Sequence, residues 1–181
     1  MAEYINVEKP FLDKLRQLGW QVFDQGIGVP QESSESLREN FKQVVLPKVF
    51  KDSVKAINKT ADGSEWLTEK QLEDILLEVQ NFPGTTLHEA NKIIHRLLLK
   101  GTSVNKNELT GELNPTVRLV DFRNWNRNSF IAINQFRLLT PGASRRNRSL
   151  SPALCIKKRD YLASSYLISI SSGIHLFGSS W

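Results

Sequence analysis

The chain has 181 residues, 40% of them hydrophobic and 9% aromatic, which suffices for one buried core with a small appendage and excludes disorder by composition. Its single cysteine, Cys155, excludes a disulfide scaffold or a Cys-cluster zinc site and suits a reducing compartment, so the cytoplasm is the expected location. No stretch approaches the roughly 18 uninterrupted apolar residues of a membrane helix, and the acidic opening Met1 to Asn6 lacks a signal peptide's basic region, so neither export nor membrane insertion is expected.

The formal net charge of +5 is unevenly placed. Residues 1–142 hold 18 basic and 18 acidic side chains, whereas residues 143–181 hold six basic residues and one acid, Asp160. Serine divides the same way, with 7 in the first segment and 10 in the second. The break predicts two regions, 1–142 as a folded domain and 143–181 as a basic, serine-rich tail.

In chain order, Phe11, Leu12, Leu15 and Leu18 recur at helical spacing, predicting an opening helix over Val7 to Leu18 with Gly19 as its C-cap. Trp20, Val22 and Phe23 then read as a short extended piece ended by Gly26, Gly28 and Pro30. A long helix is expected after Ser33-Ser34, with Leu37, Phe41, Val44 and Val45 apolar, bent or broken at Pro47 and continuing through Val49, Phe50, Val54 and Ile57. Asp62-Gly63 marks a polar turn.

Thr68 with Gln71 and Thr86 with Glu89 each fit a capping box, in which the hydroxyl takes an orphan amide and the longer side chain reaches back. The stripes that follow are Leu72, Ile75, Leu76 and Val79, closed by Pro83-Gly84, and Leu87, Ala90, Ile94, Leu97 and Leu98, stopped by Gly101. Beyond Gly101 the period changes. Thr102 to Asn105, Thr116 to Phe122 and Ser129 to Phe136 are β-prone, the last apolar on both faces, and the turn-rich Asn124 to Asn128 predicts a hairpin between the last two. Helices followed by a sheet make an α/β (α+β) domain.

Few residues invite chemistry. His88 and His95 lie two helical turns apart, too far to share a metal directly, and with His175 they read as ordinary histidines. Gly26-Ile27-Gly28 lacks the rest of a nucleotide-binding loop, no phosphate loop occurs, and no acidic residue has a lysine two positions on. No metal site is therefore read from the residues, and no cofactor is assigned to this chain. The string Asp121-Phe122-Arg123-Asn124-Trp125-Asn126-Arg127-Asn128 is richer. Arg123, Trp125 and Arg127 could hold phosphate and stack on a base. Equally, a turn uses Asn and Asp to bond its own backbone while Trp125 covers the core edge, and turn chemistry favours this local reading.

The ordered set Glu8-Lys9-Pro10-Phe11-Leu12, Leu18-Gly19-Trp20, Ser36-Leu37-Arg38-Glu39-Asn40-Phe41, Ile57-Asn58, Trp66-Leu67-Thr68, Leu87-His88-Glu89-Ala90-Asn91, Val120-Asp121-Phe122, Asn126-Arg127-Asn128-Ser129-Phe130, Ile133-Asn134-Gln135-Phe136-Arg137 and Thr140-Pro141-Gly142 resembles the N-terminal region of the restriction (R, HsdR) subunit of type I restriction-modification enzymes. The resemblance spans about residues 3 to 142. It implies a PD-(D/E)xK-type endonuclease domain, in the complete subunit followed by an ATP-driven DNA translocase, using Mg²⁺ and ATP and assembling with modification and specificity subunits on DNA. The family's Pro-Asp and Glu-x-Lys strands do not appear after Gly142, where the sequence runs Ala143-Ser144-Arg145-Arg146. Of the family's acidic site only the helix glutamate carries over, to Glu8, as an auxiliary acid. The resemblance thus implies an incomplete restriction-endonuclease-like sheet, a chain truncated or frame-shifted after about residue 142, and no cleavage by this chain alone. The alternative is a non-catalytic DNA-binding or subunit-assembly module.

Overall fold

The computed structural model describes residues 2–81, 86–138, 148–150, 168–170 and 174–175. Helices and small sheets mix as the α/β (α+β) reading expects, in two compact units. A sheet unit comprises Met1–Leu46, Phe130–Ile170 and His175–Trp181, and a helical unit comprises Pro47–Ser129 and Ser171–Ile174.

In the sheet unit a π-helical turn, Tyr4–Glu8, runs into helix α1, Lys9–Gln17. Pro10 stands at the second position of α1, just past the π-helical turn. Leu12 and Leu15 are buried against Ala132, with Phe11, Trp20 and Val22 packed around them. Leu18 departs from the expected stripe and is exposed, because Gly19 at φ +84 turns the chain away one residue later. Strand β1, Gln21–Phe23, pairs in parallel with β4, Phe130–Ile133, in the register Gln21 to Ile131, Val22 to Ala132 and Phe23 to Ile133. Ile131, Ala132 and Ile133 are all buried, as a strand covered on both faces requires.

The helix expected between Ser34 and Leu46 does not form. Only a 3₁₀ turn, Ser34–Ser36, is present, and Leu37 at φ +59 ends it. The cause is Arg38, which is buried: its Nε donates to Ser36 Oγ at 2.7 Å and its Nη1 to the carbonyls of Arg137 at 2.7 Å and Gln43 at 3.3 Å. Its guanidinium also stacks 3.7 Å from the Phe136 ring centre. These bonds, of which the one to Arg137 reaches across 99 positions, outweigh a helical pattern whose apolar residues were counted by spacing alone. Burial lowers the Arg38 pKa to about 10, so it stays a cation at neutral pH.

The helical unit follows its local signals. Pro47 begins α2, Pro47–Ile57, instead of bending a longer helix, and Phe50, Val54 and Ile57 are buried. Both capping boxes form. Thr68 opens α3, Glu69–Gln80, whose Leu72, Ile75, Leu76 and Val79 are buried, and Thr86 opens α4, Leu87–Lys100. The expected Pro83-Gly84 stop lies outside the described residues. Strands β2, Thr102–Ser103, and β3, Thr116–Val117, form an antiparallel pair.

The hairpin expected between Thr116–Phe122 and Ser129–Phe136 is absent: β3 pairs with β2, and β4 pairs with β1. The Asn124–Asn128 turn closes on itself, as described below, and does not return one strand along the other. Asn134-Gln135 instead separates β4 from β5, Phe136–Leu138, which pairs with β6, Arg148–Leu150. Within residues 143–181, β7, Ile168–Ile170, lies antiparallel along β4. With β8, Ile174–His175, the sheet order is β1-β4-β7-β8. No helix among the described residues is long and apolar enough to cross a membrane.

Candidate functional site

β1 and β4 run in parallel, and the ends of parallel strands are where open α/β sheets expose converging loops. Here those ends are Asp24-Gln25 after β1 and Asn134-Gln135 after β4. Asn134 is fully buried, and its side chain ties the two ends together. Its Oδ1 accepts from the Gln25 amide at 2.6 Å and its Nδ2 donates to Asp24 Oδ1 at 3.0 Å. Gln25 Nε2 in turn donates to the Asn134 carbonyl at 2.8 Å, while Gln25 Oε1 is buried with no hydrogen-bond partner among the described residues.

Gln135 sits at φ +51, a conformation a residue with a Cβ adopts only when its surroundings enforce it. That backbone aims its amide at Glu8, donating to both carboxylate oxygens at 3.1 and 3.2 Å. Glu8 is buried and ends the π-helical turn, a device that often marks functional positions. At the same end, Tyr4 donates its hydroxyl to Asp24 Oδ2 at 2.7 Å, which raises the Tyr4 pKa because the phenol is held as a donor. Glu8, the carboxylate named from sequence, therefore stands in a polar cluster in which it and Asn134 are buried, Gln25 and Gln135 half-buried and Asp24 exposed. Sequence reading missed Asp24, Gln25, Asn134 and Gln135. Their signal was a polar pair placed directly after each of two apolar strands.

The other expected site residues lie in the helical unit. Trp125–Arg127 is a 3₁₀ turn bracketed by Asp121 and Asn128, both buried. Asp121 Oδ1 accepts from the amides of Arg123 and Asn124, each at 3.0 Å, and Asn128 Nδ2 donates to the Asp121 carbonyl at 2.8 Å. The Asn124 amide and then that of Arg123, with Arg118 and Arg127 nearby, hold the Asp121 carboxyl below its ordinary range against the opposing effect of burial. The backbone thus does what the turn reading expects. Trp125 does not cover a core edge: it is 51% exposed, edge-on to Phe122 with ring centres 5.7 Å apart. Arg123, Trp125 and Arg127 are all exposed, and Arg127 lines an open cavity taken up below. His88 and His95 are exposed on α4.

The family model described as type I restriction enzyme R protein N terminus matches residues 2–149. The chain belongs to the type I restriction enzyme R protein N-terminal family. Among its relatives, the putative type I restriction enzyme MjaIXP endonuclease subunit of Methanocaldococcus jannaschii is 28% identical over 132 residues, which is 73% of this chain and 12% of that protein. The type I restriction enzyme HindI endonuclease subunit of Haemophilus influenzae is 25% identical over 133 residues, 74% of this chain and 12% of that protein. The chain therefore spans about an eighth of the length of these R-subunit relatives. No solved structure matches it.

The PD-(D/E)xK resemblance of this family implies magnesium, and the described residues do not fit it. No three His, Cys, Asp or Glu side chains gather among them. Glu8 faces an amide donor in place of a second acid, and Asp24 accepts from Tyr4, Gly26 and Asn134. A magnesium site needs converging oxygen acceptors, so no chemical step is derived through the metal.

Proposed function

We propose that this chain represents the DNA-engaging N-terminal part of a type I restriction subunit, related to ATP-dependent endonucleolytic cleavage of unmodified foreign DNA and unable to cleave DNA by itself. The family match over residues 2–149 carries the reading. The buried Glu8, at the carboxyl ends of the parallel strands, supports an auxiliary role for that acid on an incomplete restriction-endonuclease-like sheet. On this reading Mg²⁺ and ATP belong to the complete enzyme, modification and specificity subunits are the protein partners, DNA is met by Arg123, Trp125 and Arg127, and the setting is the cytoplasm. On the same reading the domain comprises residues 1–142, and 143–181 is a basic extension outside the catalytic pattern.

The direct test incubates the purified chain with supercoiled plasmid and Mg²⁺, with and without ATP. No nicking is expected. Metal-dependent nicking that survives purification and is lost on Glu8→Gln refutes the inactive reading. A second test adds modification and specificity subunits, and co-elution in size-exclusion chromatography is the expected result.

A further inference from the structure

The helical unit carries a cationic cleft with no part in the Glu8 cluster. Lys59, Lys100, Arg118 and Arg127, all exposed, line one open cavity of about 700 Å³. Among the described lining residues Glu112 is the one acid, so these side chains carry a net of three positive charges. Lys59 also lies 3.8 Å from Glu65, a weak pairing at exposed side chains. Asp121 is buried, with one oxygen committed to the amides of its own turn.

Local backbone features bring the four cations together from distant parts of the sequence. Gly101, at φ +76 and ψ −169, lets the end of α4 approach β3 so closely that a Cβ would collide with the Val117 carbonyl. This sets Lys100 beside Arg118. Asn58 clamps the Arg118 backbone from both sides, its Oδ1 accepting from the Arg118 amide and its Nδ2 donating to the Arg118 carbonyl, each at 2.8 Å. The Asp121 and Asn128 bracket returns Arg127 to the same cavity.

Two features decide the ligand class. Spaced cations with one acid among them suit a chain of phosphates better than one compact anion, which a convergent fork would hold. The turn that supplies Arg127 also exposes Phe122 and Trp125 at 45% and 51%. Unpaired bases offer faces to such rings, whereas a duplex hides them in its stack. We propose that this cleft binds the sugar–phosphate backbone of single-stranded DNA, with Phe122 and Trp125 receiving a base at its rim. The proposal rests on the DNA-facing reading of the Arg123, Trp125 and Arg127 turn, and extends it to Lys59, Lys100 and Arg118.

The test measures fluorescence anisotropy of a short labelled oligothymidylate and a duplex of equal length with the full chain. Lys100→Glu and Arg118→Glu are each expected to weaken single-strand binding about tenfold, and Lys92→Glu, on α4 away from the cleft, to leave it unchanged. Trp125→Ala is expected to cost at least fivefold on the single strand and little on the duplex. Circular dichroism controls for folding, and Lys100→Gln, a milder change, is expected to weaken binding in the same direction. Unchanged binding in the Lys100 and Arg118 variants, with loss in Arg123→Glu, overturns the cleft while leaving the DNA-facing turn intact. Unchanged binding in all of them overturns both. Equal affinity for duplex, or displacement of the oligonucleotide by equimolar inorganic phosphate, overturns the single-strand assignment.

Discussion

The helices of Pro47–Ser129 start on residues within three or four positions of where they begin: Pro47 for α2, Thr68 with Gln71 for α3 and Thr86 with Glu89 for α4. The sheet unit is held otherwise. Its hydrogen bonds from Gln135 to Glu8, from Gln25 to Asn134 and from Arg38 to the Arg137 carbonyl join residues 127, 109 and 99 positions apart. One unit follows local signals around its apolar core, and the other adds to its Leu12, Leu15 and Ala132 core the polar bonds of a strand junction sealed at Asn134. Apolar burial is forgiving of position and polar burial is not, since an amide left without its partner keeps the full cost of leaving water.

The contrast can be broken by mutation, with hydrogen exchange separating the two units. Phe50→Ala is expected to have the largest effect, about 3–5 kcal/mol, from a fully buried ring whose loss leaves a cavity. Its protection loss should fall on α2 and α3, and equal loss along β1 and β4 would contradict the division. Asn134→Ala is expected to cost about 2 kcal/mol, because the Gln25 amide loses its acceptor in a buried site. The change should appear in β1 and β4, and a denaturation midpoint equal to that of the parent would remove the sealed-junction argument. Thr68→Ala deletes one capping hydroxyl and should cost about 1 kcal/mol, with exchange rising at the first turn of α3 only.

The smallest expected effect depends on pH. Asp121 has its folded pKa held below the ordinary 3.8, so its contribution is present above that value and is lost as pH falls through the folded one. Asp121→Asn is therefore expected to be less stable than the parent near neutrality and to converge with it as pH falls below the ordinary carboxylate value of 3.8. A gap that stays constant across an acid titration would show that the carboxylate's charge is irrelevant to the turn.

What could be read ahead follows the same division. All four stripe residues of α3, both capping boxes and the doubly buried Ile131 to Ile133 segment are in place, since each is a pattern of neighbours. The helix expected over Ser34 to Val45 is not, because Arg38 takes the Arg137 carbonyl as a partner, and nothing near Arg38 in the sequence announces it. The β3–β4 hairpin failed for a related reason: a turn-rich spacer identifies a turn, not which strands it joins, and β4 went to β1. Glu8 was reached through resemblance, while its partner Gln135 depends on a positive φ that no propensity scale assigns to glutamine. Lys59, Lys100 and Arg118 stand 41 and 18 positions apart, and the close approach at Gly101 together with the Asn58 clamp on Arg118 makes them one surface.

The parallel register of Gln21 with Ile131 fixes an order of events during synthesis. A ribosome releases Pro47–Ser129, with its own core, before β4 has emerged, so β1 must wait without its neighbour while about a hundred later residues are made. For that interval Leu12 and Leu15 lack the cover that Ala132 later provides, so this end of the nascent chain keeps apolar surface in water until β4 arrives.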